Sequence, residues 1–492
     1  MRKRIVRDLL LLAVLTLPGS GIAVAEDCAR LKTMSGVTSA EVVHGGSFTP
    51  QGGKAIDDLP EFCRVTATLN PSGDSSIKIE VWLPVTTWNQ RLEGTGNGGL
   101  AGHIGYGPLA DGLKDGYAVA NTDMGLGVPD GKDAGIYVGH PERWADWGWR
   151  STHEMTVFAK SVVKMFYGRA EKKDYFVGCS TGGEQALMEA QRFPDDYDGI
   201  VGGAPAHNRT GVHESILWNF AALEAPGSSL SADKLTLVNQ AVVKACDMND
   251  GVKDGLIGDP RSCRFDPAVL LCKDGKSEQC LTPSQVEAVN KTYAGPKDSR
   301  NGRQLYPGLE RGSEFAWGWL PSRFSIAKAP FAPVFEWVFG ADWAWQSFDY
   351  GNDVDTMQAK LSGTLNATDP NLDLFMKHGH KLVLYHGWAD QIVPPGETIT
   401  YFNAAAARAP IDGSVRLFML PGVQHCSGGQ GPSTIAPLDA VVNWVEKGKA
   451  PEALTATGNG MVRIVCAYPA EPKYNGQGDI NNPTSYVCSM KK

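Results

Sequence analysis

Hydrophobic and polar positions change their period several times along the 492 residues, and each change marks an element. "IKIEVWLP" (77–84) alternates in the manner of a half-buried strand. "RLEGTGNGGLAG", beginning at 91, is strand-like and runs into glycines, and "YAVANTD" (117–123) ends in Asp123. "STHEMTVFAKSVVKMFYG" (151–168) has a helical period, with Met155, Phe158, Ala159, Val162 and Met165 on one face. "DYFVGCS" reads as strand and turn, "GGEQALMEAQRF" as helix, and "YDGIVGGAPA" (197–206) as a second buried strand. This alternation predicts a mostly parallel α/β sheet. From about 207 to 375 the alternation is lost, and the chain carries four cysteines, an Asp/Gly-rich loop and a cluster of aromatics. It resumes at "KLVLYHGWAD" (381–390) and "VRLFMLPGVQHC" (415–426), and "IAPLDAVVNWVEKG" (435–448) reads as a closing amphipathic helix. The expected organisation is one α/β domain, residues 26–206 and 376–492, interrupted by a lid over 207–375.

Residues 1–25 stand apart. "MRKRIVRDLLLLAVLTLPGSGIAVA" has a basic start, an apolar run and a final Ala-Val-Ala, the layout of a secretory signal peptide cleaved after Ala25. As a membrane anchor the run is short of the ~20 residues a span needs, and Pro18 and Gly19 break it. A secreted or periplasmic protein is expected. Cleavage removes four basic residues and one acidic one, so the formal charge moves from −8 to −11. An acidic chain without a basic cluster argues against nucleic acid, or an anionic membrane, as partner. With 42% hydrophobic and 20% charged residues the chain is globular in composition. All ten cysteines follow residue 25, and export makes disulfides the default. No C-x-x-C pair occurs, which argues against a structural zinc site. Connectivity stays open at this point, with local pairs available to Cys246 and Cys263, Cys272 and Cys280, and Cys466 and Cys488, while Cys28 with Cys63 would tie down the N-terminus.

The candidate chemistry centres on "VGCSTGGEQAL" (177–187), where Gly178-Cys179-Ser180-Thr181-Gly182 has the G-x-S-x-G spacing of a nucleophile elbow. A serine needs a base to take its proton, and the base needs an orienting carboxylate. In the α/β-hydrolase fold these follow in the order serine, acid, histidine. Ser180, Asp390 and His425 have that order, and each follows a predicted strand, where sites of open α/β sheets gather. Asp390 as a turn former and His425 as a loop histidine are the plain alternatives, and His386 and Asp123 are possible substitutes. The oxyanion would be held by the backbone N–H of Thr181 and by Gly98 or Gly99 of "GTGNGG" (94–99). Cys179 adjoins the serine and Cys426 adjoins the histidine. A hydrogen bond from the Ser180 hydroxyl to His425 would force the two cysteines together, so a disulfide between them is expected, with two separate buried thiols as the alternative.

"GCSTGG", "WAD" and "QHCSGG", with "WNQRLEGTGNGG", "YFVGCSTGGEQALMEAQRFPDDYDGIVGGAPA" and "GDIN", resemble the tannase and feruloyl esterase family, which also holds mono(2-hydroxyethyl) terephthalate hydrolases. The resemblance implies an α/β-hydrolase fold with a large inserted lid domain, a triad of Ser180, Asp390 and His425, and the disulfide Cys179–Cys426. It also implies the pairs Cys28–Cys63, Cys246–Cys263, Cys272–Cys280 and Cys466–Cys488. "CDMNDGVKDGLI" (246–257) offers carboxylates between glycines but lacks the closing Glu of an EF-hand, so a solvated acidic turn is the plain reading. The resemblance implies structural Ca²⁺ there, held by the side chains of Asp247, Asp250 and Asp254 and the carbonyls of Val252 and Leu256. Terephthalate half-ester hydrolases hold the free carboxylate with a lid arginine. "PSRFSIAKAPFAPVFEW" offers Arg323 and Lys328 nearby but displaced, which favours a ferulate- or gallate-type ester. The lid aromatics between 315 and 350 are the candidate walls for such an acyl group, with packing among themselves as the alternative. Functions outside this reading are a non-catalytic binding protein, an acyltransferase and a serine peptidase on the same fold. Oligomeric state is not legible.

Overall fold

The computed structural model describes residues 26–128, 134–273 and 279–490, so the leader-like stretch 1–25 lies outside the described residues. Nine strands make one central sheet: β1 (Val37–Val43), β2 (Phe62–Leu69), β3 (Ile77–Pro84), β4 (Arg91–Thr95), β5 (Ala118–Thr122), β6 (Lys173–Cys179), β7 (Gly199–Gly203), β8 (Lys381–Gly387) and β9 (Val415–Leu420). Their spatial order is β1-β2-β3-β5-β4-β6-β7-β8-β9. Strands β1, β2, β3 and β5 pair antiparallel. From β5 through β4, β6, β7, β8 and β9 every pairing is parallel. The sheet is that of an α/β-hydrolase, parallel in the half that carries the site. The short link at residues 70–76 between β2 and β3 leaves no room for a crossover, so that edge is a meander.

Strand β3 departs from the expected half-buried pattern, because only Lys78 is exposed. Its polar position Glu80 is buried and satisfied, accepting from Arg64 Nη2 at 2.6 Å, Trp82 Nε1 at 3.0 Å and Tyr106 Oη at 2.9 Å. The period of two therefore separates an apolar buried face from a hydrogen-bonded one. The helix at Ser151–Tyr167 buries Met155, Phe158, Ala159 and Val162 as its period requires, while Met165 sits at the margin of the core.

Between β7 and β8 the described residues give no strand to this sheet. They form helices at Arg209–Glu224, Ala232–Cys246, Pro283–Ala294, Ala332–Phe339 and Asn352–Leu365 instead. Arg209–Glu224 is buried nearly all round, Arg209, His213, Glu214 and Asn219 included, which is why it shows no amphipathic period. The insertion also has an apolar core of its own, built on Leu235, Val238, Val242, Leu309 and Trp317. The helix at Pro437–Lys447 does not close the fold. Two hairpins follow it, Ala453–Gly458 with Met461–Cys466 and Ala470–Tyr474 with Tyr486–Met490. All five expected disulfides form, and no cysteine is free among the described residues. No helix among the described residues is long and apolar enough to cross a membrane.

Candidate active site

Strand β6 ends at Cys179, and a helix begins at Thr181. Ser180, between them, has φ 66°, a strained conformation for a residue with a Cβ and the mark of a nucleophile elbow. The turn works only with glycines beside it. A Cβ on Gly178 would lie 2.4 Å from the Gly182 carbonyl, and one on Gly96 would lie 2.5 Å from the Gly182 Cα.

The structure brings Ser180, His425 and Asp390 together. His425 Nε2 is 2.7 Å from Ser180 Oγ, and His425 Nδ1 is 2.7 Å from Asp390 Oδ2. Asp390 is fully buried, yet every lone-pair direction is used. Its Oδ1 accepts from the N–H groups of Ile392 (2.8 Å) and Val393 (2.9 Å), and its Oδ2 accepts from both His425 and His386 (3.0 Å). Burial alone would raise this carboxyl. The charge on His425 and the hydrogen bonds from the two histidines outweigh it and hold Asp390 well below the usual carboxylate range.

His386 is not a substitute base. Its Nε2 faces two acceptors, Asp390 and the Val393 carbonyl at 2.9 Å, so it carries the proton, and its Nδ1 accepts from the Thr398 hydroxyl at 2.9 Å. Its part is to donate to the acid, which sequence position did not reveal. Asp123 is not a substitute acid either: its Oδ1 holds the N–H groups of Lys78 (2.9 Å) and Gly125 (2.8 Å) at the end of β5. The Cys179–Cys426 bond has its Cα atoms 5.9 Å apart and ties the serine loop to the histidine loop.

The N–H groups of Thr181, Gly98 and Gly99 have no acceptor among the described residues. A Cβ on either glycine would meet nothing within 4 Å, so both face open space, and both line the cavity that holds Ser180 and His425. This cavity has a volume of about 1060 Å³. Of the lid aromatics, Trp319, Phe324 and Phe331 line it. Trp317 is buried in the insertion's own core instead, and Phe335 and Trp337 are buried where the insertion packs against Leu100, Met124 and Trp147. Arg323 and Lys328, displaced in the sequence comparison, both stand on the cavity wall. Lys328 Nζ is 3.4 Å from Glu336, whereas the Arg323 guanidinium lies over the Trp319 ring at 5.9 Å with no carboxylate partner among the described residues.

Away from the cavity, the loop of Asp247, Asp250 and Asp254 folds into successive turns. Asp247 Oδ1 accepts from the N–H groups of Asp254 (3.1 Å) and Gly255 (3.0 Å), Asp250 Oδ1 from Val252 (2.9 Å), and Asp254 Oδ1 from Leu256 (3.0 Å). Arg463 Nη2 reaches Asp254 Oδ2 at 3.0 Å. The second oxygens of Asp247 and Asp250 have no donor among the described residues, and burial, then Asp254 and Asp247, push the Asp250 carboxyl up to about 6. One arginine against three carboxylates leaves surplus negative charge and hard oxygen donors, a set that fits Ca²⁺. Two further clusters with metal-ligand residue types are Asp195, His378 and His380, and His153, Glu189 and Asp196. In each, a histidine Nδ1 is already hydrogen-bonded to the aspartate at 2.6 Å.

A sheet of this order with a strained serine at the end of a parallel strand places the protein among the α/β-hydrolases. Within that class, the family model for tannase and feruloyl esterase matches residues 63–330 and 331–489, and the chain belongs to that family. It is a carboxylic ester hydrolase. An uncharacterised esterase of Xanthomonas campestris pv. campestris is 33% identical over 97% of this chain and 92% of that protein. Feruloyl esterase B of Aspergillus niger is 32% identical over 87% of each chain. The crystal structure of feruloyl esterase B from Aspergillus oryzae superposes with a TM-score of 0.87 at 28% identity, covering 95% of this chain and 100% of that one.

Proposed function

We propose that the protein is a secreted or periplasmic serine esterase that hydrolyses esters of aromatic, phenolic acids of the feruloyl or galloyl type through an acyl-enzyme on Ser180. One observation carries this reading: Ser180 Oγ, 2.7 Å from His425 Nε2, opens into a cavity walled by Trp319, Phe324 and Phe331. His425 takes the serine proton as Oγ attacks the ester carbonyl, and Asp390 stabilises the imidazolium that forms. The oxyanion turns toward the N–H of Thr181 and of Gly98 or Gly99, donors of a kind whose loss costs about 10²–10³ in turnover. His425 then returns its proton to the leaving alcohol, and water repeats the sequence to free the acid. A flat acyl group gains about 0.5–1.5 kcal/mol from a well-placed ring beyond its burial. The similarity to proteins named feruloyl esterase B supports the aromatic acid, and five disulfides support an oxidising compartment.

Nitrophenyl esters of ferulic, gallic, acetic and butyric acids, compared by kcat/KM, test the reading. Aromatic acyl esters are expected to lead, and equal turnover of aromatic and short aliphatic esters would overturn it. Phe331→Ala should lower the preference without lowering Tm. Unchanged selectivity across single replacements of Trp319, Phe324 and Phe331 would remove the lid from substrate choice. Amide substrates, and product analysis with added alcohol, separate an esterase from a peptidase or an acyltransferase.

A second reading is favoured by Arg323. An unpaired guanidinium on the cavity wall suits an aromatic half-ester that keeps a free carboxylate, as in a mono(2-hydroxyethyl) terephthalate hydrolase. Turnover of a terephthalate half-ester above its methyl diester, lost in Arg323→Ala, would establish it.

Structural Ca²⁺ belongs to the proposal as well. The Asp247, Asp250 and Asp254 side chains and the Val252 and Leu256 carbonyls would hold it, and its charge would offset the repulsion among the three carboxylates. It takes no part in the chemistry.

A further inference from the structure

We infer that Arg209, the first residue of the first long helix of the insertion, is a positioning residue for the oxyanion hole. The inference rests on the serine esterase reading above. Arg209 is 4% exposed and makes no hydrogen bond to Ser180 among the described residues. Its guanidinium meets two groups that each hold the glycine loop. Nη1 donates to Thr181 Oγ1 at 3.2 Å, and that hydroxyl donates its own proton to the Gly99 carbonyl at 2.6 Å. The guanidinium carbon lies over the Trp147 ring, 4.7 Å from its centroid, and Trp147 Nε1 donates to the Leu100 carbonyl at 3.0 Å. Two consecutive carbonyls of the loop after β4 are thus fixed by side chains that share one cation.

The geometry matters because the oxyanion hole has two halves from different elements. The Thr181 N–H belongs to the nucleophile helix, and the Gly98 or Gly99 N–H belongs to the loop. The Asn97–Gly98 peptide is held by the Gly182 N–H, which donates to the Asn97 carbonyl at 2.8 Å, and the Gly98–Gly99 peptide by the Ala101 N–H, which donates to the Gly98 carbonyl at 3.0 Å, whereas the Gly99–Leu100 peptide in the middle of that turn has no backbone hydrogen bond among the described residues. The hydrogen bond from Thr181 Oγ1 to the Gly99 carbonyl fixes that middle peptide and anchors the glycine turn to the nucleophile helix, and Arg209 fixes the rotamer of Thr181 by donating to the hydroxyl oxygen, which leaves its proton to point at Gly99. The one carboxylate partner of Arg209, Glu184, is 3.4 Å away, and the Arg209 Nε has no partner among the described residues. A buried cation so weakly paired is costly to the fold, and a hydrophobic side chain on Trp147 would cost less. The same link joins the root of the insertion to the oxyanion hole.

The test is the steady-state kinetics of Thr181→Val, Thr181→Ser, Arg209→Met and Arg209→Lys on one aromatic nitrophenyl ester, with rates referred to the fraction of sites that a phosphonate labels. Thr181→Val and Arg209→Met should lower kcat on the order of 10- to 100-fold with KM within about twofold, since about 1 Å of misplacement in a reacting geometry costs up to ~100-fold. Thr181→Ser, which keeps the hydroxyl, should recover most of the Thr181→Val loss. The double variant should be no worse than the poorer single one, because both act through one chain of contacts. If Arg209→Met fails to fold, Arg209→Lys and the Thr181 pair decide. A kcat within about twofold of wild type in Thr181→Val, a loss confined to KM, or additive losses in the double variant would overturn the inference. Ser180→Ala, run alongside, separates the two claims: activity in that variant sinks the esterase reading, whereas an inactive Ser180→Ala with unaffected Thr181→Val sinks only the role of Arg209.

Discussion

Replacing both Cys179 and Cys426 with alanine should cost more in catalysis than its distance from the chemistry suggests. The bond spans 247 residues of sequence, and in the chain-entropy account a loop of that size is worth about 5 kcal/mol, an upper figure because residual structure in the unfolded chain reduces it. The local effect is sharper. Ser180, next to one end of the bond, and Cys426, its other end, both have positive φ, 66° and 65°, so the tie holds two strained loops in register. Without it, a relative shift of about 1 Å would stretch the 2.7 Å contact from His425 Nε2 to Ser180 Oγ beyond hydrogen-bond reach. Misplacement on that scale costs about 100-fold, close to 3 kcal/mol in the barrier. The assay is kcat and KM on an aromatic nitrophenyl ester, with circular dichroism and Tm to show that the variant folds and phosphonate titration to count competent sites. A folded variant with kcat down about 100-fold is expected. A folded variant within about threefold of wild type would show that the loops hold register unaided, and the reasoning would fail.

Chelator should lower Tm while the activity of molecules still folded is unchanged, and elemental analysis of protein kept from chelator should find calcium. Its absence would reduce the Asp247 loop to an acidic turn. Asp250→Asn should weaken the calcium dependence of Tm. Glu93, 6% exposed on β4 with Oε2 unpartnered among the described residues, is raised to about 8 by burial first and then by Asp115 and Asp111. A carboxyl raised on folding is protonated in the native state, so its stabilising effect is full below its unfolded value near 4.3 and is lost as pH climbs through about 8. Glu93→Gln should therefore have a Tm above wild type at pH 8 and close to it at pH 5, and a gap of the same size at both values would refute the buried, protonated carboxyl.

Much of the site was legible because its geometry restricts residue choice. The elbow leaves no room for a Cβ at 178, where it would strike the Gly182 carbonyl, and at 182 a Cβ would press on the Gly96–Asn97 backbone, while the triad residues sit at strand ends that periodicity marks. The cysteines beside the serine and the histidine follow from the same contact. What was lost has physical causes too. The helix Arg209–Glu224 buries nearly all its sides, so no hydrophobic period identifies it, and the role of Arg209 needs three elements in place. His386 reads in the sequence as a possible substitute in the triad, and its part as a donor to the acid shows only once the turn at Asp390 brings the carboxylate back onto it. Arg323 and Lys328 reach the cavity by the path of the insertion, which spacing does not encode. One miss was avoidable. Asn459-Gly460 is a hairpin turn signal, with φ of 52° and 71°, between the two strands that follow the helix read as closing the fold.

The central claim is that Ser180 carries the acyl group. Wild type and Ser180→Ala should be treated with an aryl phosphonate, digested and mapped by mass spectrometry while residual esterase activity is followed. The account predicts one adduct, on Ser180, formed in step with the loss of activity, no adduct in Ser180→Ala, and a fall in that variant's turnover on the order of 10⁶. An adduct on another residue with activity lost, or a folded Ser180→Ala that keeps activity within tenfold of wild type, would contradict it.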